Sequence, residues 1–154
     1  MSQLENRFGE AGRKGDVGEK WVFPKLKTVY DEVIDCREDR MWQMLGVDFA
    51  ITMKKWSRYY LVDSKHNLHN DGVIRIELDK GRHYKQLGWY FTSRSDRIIH
   101  VDVENEKLLW YDLSEMREYI FFNPEKCEVS LDKKLMILKL SDLYKVKNLI
   151  KTIY

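Results

Sequence analysis

The sequence reads GVDFAI at residues 46–51 and YYLVDSK at residues 59–65. Each run alternates apolar residues with others and contains one aspartate, Asp48 in the first and Asp63 in the second. Such alternation is typical of half-buried β-strands. Only a short basic connection separates the two runs. We therefore expect a hairpin that brings Asp48 beside Asp63.

A lysine follows the second aspartate after one residue. Side chains two positions apart on a strand point to the same face, so Asp63 and Lys65 are predicted to project together. The same alternation puts Asp48 on the face opposite Val47 and Phe49. A hard divalent cation such as Mg²⁺ prefers carboxylate and water oxygens, and an amine can handle a proton. The two strands thus predict a site with two carboxylates and one amine.

Composition sets the general class of the protein. The chain has 154 residues, a single-domain length, and 44% of them are hydrophobic, which is enough for a packed core. No apolar run approaches the roughly 20 residues that span a bilayer, and the N-terminus has no apolar signal region. We expect a cytoplasmic protein with no membrane partner. Its two cysteines, Cys36 and Cys127, are expected to be reduced.

Charge is informative only locally. The net charge is +2, so the overall balance gives no argument for nucleic acid. Phosphate contacts come from local patches, and two are present: a polar arm over residues 1–15, expected to be flexible, and the connection 54–58, which lies next to the carboxylates in sequence. The lysines of residues 133–154 fit equally well as the solvated side of a terminal helix. The residues expected to contact DNA are Arg13, Lys14, Lys54, Lys55 and Arg58.

The remaining pattern predicts an α/β fold: a single domain over residues 16–154 with a central mixed β-sheet flanked by helices. A first helix should start near Asp16, and a last helix near Ser141. Ser114 is expected to cap a helix that ends near Phe122. On the first helix, Glu19 shares a face with the apolar residues three, four and seven positions later. Further strands are predicted over 28–36, 73–78, 97–103, 107–113, 125–131 and 135–140.

Taken together, these residues resemble the PD-(D/E)XK nuclease superfamily, in particular its small resolvase-like and phage-type members. Residues 63–65, Asp-Ser-Lys, match the (D/E)-X-K element. Asp48 looks like the aspartate of the P-D element, although Val47 stands where the nominal pattern has proline. Glu19 looks like the helical acid of resolvase-type members. The resemblance spans about residues 15–113 and implies a restriction-endonuclease-like core.

The resemblance also implies an activity. Glu19, Asp48 and Asp63 would bind Mg²⁺, for which Mn²⁺ could substitute, and Lys65 would act on the attacking water in hydrolysis of DNA by an endonuclease. Small members of the superfamily resolve branched DNA as homodimers, so Holliday-junction or other branched DNA is the implied substrate. A phage-type member would act in an infected host cell.

Alternatives remain open from the sequence. The chain can be a nicking or restriction-like DNA endonuclease, or a catalytically inactive nucleic-acid-binding subunit of the same fold. Asp63 and Lys65 can form a plain ion pair at a strand end, and Glu19 can be a solvated helix acid. The four histidines are scattered and are expected to be surface imidazoles. Glu77, on the following strand, is within reach of the site but is not included in it.

Overall fold

A computed structural model describes residues 20–80 and 87–153. The helices are α1 (20–29), α2 (Arg40–Met44), α3 (Trp89–Thr92), α4 (Leu113–Phe122) and α5 (Leu140–Leu143), with a 3₁₀ turn at Pro124–Lys126. The strands are β1 (Glu32–Asp35), β2 (Phe49–Thr52), β3 (Tyr60–Lys65), β4 (Val73–Glu77), β5 (Arg97–Asp102), β6 (Lys107–Asp112), β7 (Cys127–Val129), β8 (Leu135–Lys139) and β9 (Lys151–Thr152).

The strands form two sheets. The larger one has the order β1-β2-β3-β5-β6-β9, and the smaller one has the order β4-β8-β7. In the larger sheet β3 and β5 run parallel, whereas every other neighbouring pair is antiparallel. A parallel pair needs a crossover connection, and β4 lies within the connection between β3 and β5. The predicted α/β fold with a mixed sheet flanked by helices is confirmed.

The larger sheet is covered on both faces. On β5, Ile99 packs in the apolar cluster that holds α1, through Val22 and Leu26. Its neighbour Ile98 points the other way, into the cluster that holds α4 and the inner face of the small sheet. Because successive side chains on a strand alternate faces, β5 contributes to two cores at once. The result is three layers, with α1 on one side and the small sheet and α4 on the other.

Helix α2 lies on the same face as the small sheet. Its Trp42 packs against Val47 and Ala50, and Ala50 is paired across the hairpin with Leu61. Leu61 and Asp63 share a face of β3, and Asp63 is paired with Ile98. A gap is therefore left on this face between α2 and the small sheet, and Asp63 points toward it.

Burial of the central hairpin differs from the prediction. Phe49, Ala50 and Ile51 are all buried, so β2 is covered on both faces rather than half-buried. The alternation in the sequence predicted the strand correctly but not its burial, because α2 covers the second face. The start of α1 lies outside the described residues, and over 20–29 the helix continues through Pro24.

The predicted last helix does begin near Ser141, but it is only four residues long and does not continue to the C-terminus. Helix α5 ends at Leu143, and the chain then turns, with Asn148 in the left-handed region at φ 63°. Strand β9 adds to the edge of the large sheet, where Ile153 N–H donates to Leu108 O. Leu149 and Ile150 are buried in the core from this turn and not from a helix. Helix α4 does end at Phe122, but it begins at Leu113 without a side-chain cap.

The cysteines and the lengths of the helices bear on two further predictions. Cys36 and Cys127 are both free thiols, as expected. Within residues 20–80 and 87–153, every helix is too short or too polar to cross a bilayer.

Candidate active site

The gap between α2 and the small sheet forms a cleft of about 490 Å³. Its floor contains the predicted pair Asp63 and Lys65 at the end of β3, and Asp48 at the start of β2. The hairpin register explains why these groups meet, because Asp48 N–H donates to Val62 O and so lies opposite the residues that follow Val62. The cleft lining includes Gln43, Met44, Asp48, Asp63, Lys65 and Glu77.

Asp48 is buried and held by several donors. Its Oδ2 accepts hydrogen bonds from Ser64 N–H at 2.9 Å and from Ser64 Oγ at 2.7 Å. Its Oδ1 accepts from Gln43 Nε2 at 3.4 Å, and that same amide also donates to Val47 O at 2.9 Å. Asp48 thus continues the strand pairing with its side chain where the backbone ladder stops. These donors hold the Asp48 carboxyl group in a fixed orientation.

Asp63 has very different surroundings. Its Oδ2 is buried and lies 2.8 Å from Lys65 Nζ. The pKa of the Asp63 carboxyl group rises from 3.8 to about 7, chiefly because burial disfavours its charged form. Lys65 opposes this rise, and the adjacent Asp48 carboxylate adds to it. Lys65 also lies over the Trp89 ring, 5.3 Å from its centroid.

Two glycines shape the walls around these groups. Gly46 adopts φ +69°, and a Cβ there would lie 3.7 Å from Asp63 Oδ2. Gly88 packs against the end of β4 so closely that a Cβ would lie 2.3 Å from Glu77 O. This close approach fixes the start of α3 and places Trp89 beside Lys65. The left-handed turn at Gly46 keeps the space next to Asp63 free of side-chain atoms.

A buried histidine supports the floor of the cleft. His100 is fully buried, which lowers its pKa to about 3 and keeps the ring neutral. Its Nδ1–H therefore donates to Asn67 Oδ1 at 2.7 Å, and its Nε2 accepts from Tyr111 Oη at 2.9 Å. His100 is paired with Lys65 in the parallel ladder. The prediction of a surface imidazole is wrong for His100, because β5 is central to the sheet.

Other residues in the cleft were missed by the sequence reasoning. Gln43 comes from α2, and no local pattern connects it with Asp48. Ser64, the middle residue of the D-X-K element, binds Asp48. His66 follows on the same side, with its Nε2 3.4 Å from Ser64 Oγ. Glu77 lines the opposite wall. Only Glu77 had a sequence signal, namely its position on the strand after the D-X-K element.

The donor set fits a divalent cation in part. Asp48 and Asp63 are neighbouring carboxylates, and Asp63 Oδ2 is a buried acceptor 2.8 Å from Lys65 Nζ. Within the described ranges, no group of three His, Cys, Asp or Glu side chains is arranged to hold a metal ion. Glu19, the predicted third ligand, lies outside the described residues. Two protein carboxylates with water completing the shell is a common arrangement for Mg²⁺.

The basic residues predicted to contact DNA are not beside the carboxylates. Lys54, Lys55 and Arg58 are exposed at the tip of the β2–β3 hairpin, whereas the carboxylates lie at its other end. Three residues of β3, or about 10 Å at 3.3 Å per residue, separate Tyr60 from Asp63, and Arg58 lies two residues before Tyr60. Arg58 is also paired with Asp96 at 3.5 Å. The expected proximity is therefore wrong, and Arg13 and Lys14 lie outside the described residues.

Comparison of the chain with protein-family models, curated proteins and solved structures finds no match.

Proposed function

We propose that this chain hydrolyses phosphodiester bonds in DNA as a Mg²⁺-dependent endonuclease, with Asp48, Asp63 and Lys65 as its catalytic residues. One observation carries the proposal: the carboxyl groups of Asp48 and Asp63 and the amine of Lys65 line one cleft, with Asp63 Oδ2 2.8 Å from Lys65 Nζ and the pKa of Asp63 raised to about 7. Strongly perturbed carboxyl groups that have a charged partner in a cleft are enriched at catalytic sites.

The residues of the cleft divide the work. Asp48, fixed by Ser64 and Gln43, and Asp63 would hold the cation. A bound Mg²⁺ would lower the pKa of a coordinated water molecule and stabilise negative charge on the phosphate. Lys65 orients the attacking water or stabilises the negative charge on the phosphate oxygens. Trp89 covers one side of the Lys65 amine and restricts where it can point.

A plain ion pair is the main competing explanation of Asp63 and Lys65. A pair that exists to stabilise the strand end would lower the pKa of its carboxyl group. Burial raises the pKa of Asp63 to about 7 instead, so the ionised group destabilises the folded chain even with Lys65 beside it. Retention of an unfavourable buried acid supports a functional role over a structural one.

Substrate form and assembly rest on the resemblance alone. We propose branched DNA as the first substrate and a homodimer as the active form, with nicking or restriction-like cleavage as the alternative. An inactive nucleic-acid-binding subunit is the remaining possibility, and it predicts DNA binding without cleavage. Sedimentation of the purified chain, together with junction, flap and duplex substrates, tests these points.

The activity itself is tested by nicking of supercoiled plasmid with Mg²⁺, with Mn²⁺ and with a chelator. We expect metal-dependent nicking that Asp48→Asn, Asp63→Asn and Lys65→Ala each reduce by on the order of a hundredfold or more, because each removes one electrostatic group from the transition state. DNA binding should be retained. Asp142→Asn and Lys145→Ala are matched controls, since both residues lie outside this cleft.

Two outcomes would count against the proposal. Nicking that persists at the wild-type rate in Asp63→Asn would remove the assigned chemistry. Binding of DNA without any metal-dependent nicking would favour the inactive subunit.

A further inference from the structure

The wall of the cleft formed by α2 presents an unusual apolar surface. Met44 lines the cleft and is 80% exposed, and Met41 is 59% exposed. These residues and Leu45 are spaced i, i+3 and i+4, so they share one face of the helix. Leu135 lines the opposite wall. Met44 and Leu135 line the cleft, whereas Met41 and Leu45 extend the apolar surface of α2 beyond the cleft lining. We define these four residues, Met41, Met44, Leu45 and Leu135, as the apolar rim.

The dimensions of the cleft limit what can reach Asp48 and Asp63. The two residues are only 7% and 3% exposed, and the cleft above them has a volume of about 490 Å³. Sites of roughly 300–1,000 Å³ hold ligands about the size of a single nucleotide. Duplex DNA is much wider, since its major groove alone is about 12 Å across. The base of a paired nucleotide would have to leave its stack to enter the cleft, whereas the base of an unpaired nucleotide is free to do so.

The charges around the rim suit a polyanion. Arg40 is exposed next to Met41, and Arg94 is exposed beside Leu45, whose carbonyl oxygen accepts from Arg94 N–H at 3.0 Å. Lys80 is exposed and also lines the cleft. Sites that bind unpaired strands combine cationic side chains along the backbone with side chains, usually aromatic, that contact the faces of the bases. A methionine thioether makes favourable contacts with aromatic rings.

We infer that the apolar rim binds the base of an unpaired nucleotide, with Met44 as its principal contact, while the adjoining phosphate lies at the carboxylates. The placement of the phosphate rests on the proposed function, whereas binding of the base does not. The inferred substrate class is DNA with unpaired nucleotides, such as flaps and branch points, rather than continuous duplex.

Binding of two DNAs to the full chain tests the inference, with EDTA present so that nothing is cleaved. One DNA carries a short flap with 2-aminopurine at its first unpaired position, and the other has the same sequence fully paired. We expect the wild-type chain to prefer the flap. Met44→Ala should weaken flap binding about fivefold and leave duplex binding unchanged. Met44→Phe, which restores a large apolar contact, should recover flap binding.

Phe121→Ala is the matched control, because Phe121 is 77% exposed on α4 and lies outside the cleft lining. It should change neither affinity. The inference fails if the wild type shows no preference for the flap, or if Met44→Ala behaves like Phe121→Ala. It also fails if Met44→Ala weakens the binding of both DNAs equally. It fails too if Met44→Ala dissociates a dimer in sedimentation, because the rim would then be an interface between copies of the chain.

The two proposals can fail separately. In the first case, the wild-type chain does not nick DNA with Mg²⁺, but Met44→Ala selectively loses flap binding. This result would overturn the proposed hydrolysis and support binding of the base at the apolar rim. In the second case, the wild-type chain nicks DNA and Met44→Ala binds flaps normally. This result would overturn binding of the base at the apolar rim and support the proposed hydrolysis.

Discussion

Asp48 and Asp63 show how two residues of one type acquire different properties in one cleft. Asp48 accepts three hydrogen bonds, two from Ser64 and one from Gln43. Asp63 Oδ2 lies 2.8 Å from the Lys65 amine, and burial raises the pKa of Asp63 to about 7. The first environment holds the Asp48 carboxyl group in one orientation. The second produces a group that exchanges a proton near neutral pH, which is the range a catalytic site needs.

The raised pKa predicts a pH-dependent stability. Because the pKa of Asp63 is higher in the folded chain than its ordinary 3.8, its contribution to stability is complete below about pH 4 and is lost as pH rises through about 7. A shift of about 3 units corresponds to at most roughly 4 kcal/mol. Asp63→Asn, which stays neutral, should therefore be more stable than wild type at pH 8 and similar at pH 4.

Urea unfolding at the two pH values, with EDTA present, measures this difference. Equal stability of variant and wild type at pH 8 would contradict the assigned burial of a charged Asp63.

At the scale of elements, Arg97 joins the hairpin to strands β5 and β6. Its guanidinium lies 4.3 Å from the Tyr60 ring centroid and 4.1 Å from that of Trp110, with Trp56 at 5.1 Å. Its Nε donates to Asp112 Oδ1 at 3.0 Å. The residue is 9% exposed, so these contacts replace its hydration. A planar guanidinium can stack between two rings and bind a carboxylate at once, which an ammonium cannot.

Arg97→Lys should therefore destabilise the fold although it keeps the charge. We expect a loss of about 2 kcal/mol from the stacking and the hydrogen bond to Asp112. The urea midpoint should fall with an unchanged slope. Arg94→Lys, at an exposed position, should change the midpoint little. Comparable stability of the two variants would mean that the aromatic contacts of Arg97 contribute nothing specific.

At the scale of the whole molecule, one apolar cluster joins the two sheets. It contains Ile74 and Leu138 from the small sheet and Ile98 and Leu109 from the large one. The small sheet has an apolar face, and such a face must be buried against another element. The cleft depends on this packing, because Glu77 and Leu135 stand on the small sheet and Asp63 on the large one.

We therefore expect the two sheets to unfold together. Ile74→Ala removes a fully buried side chain and should lower the free energy of unfolding by about 2–5 kcal/mol in a single transition. Far-UV and near-UV circular dichroism should give the same midpoint. Ile34→Ala, at a position 44% exposed on β1, is the control and should cost much less. Separate transitions would show that the small sheet is an independent unit.

The sequence by itself determined the local features of this protein. Period-two alternation identified the hairpin, and it put Asp63 and Lys65 on one face because neighbouring positions of a strand have fixed directions. It also identified the α/β class. The sequence pattern predicted residues 141–153 incorrectly. Apolar residues there are spaced as in a helix, but beyond Leu143 the chain forms a turn and the edge strand β9.

Only the tertiary structure decided how the site is completed. Gln43 reaches Asp48 from α2, and His100 supports the floor from β5. The hairpin cations lie at the far end from the carboxylates. Contacts between distant segments are not encoded in local spacing. The properties that distinguish Asp63 from Asp48 come from burial and from hydrogen-bond donors, and both of these are set only when the layers pack.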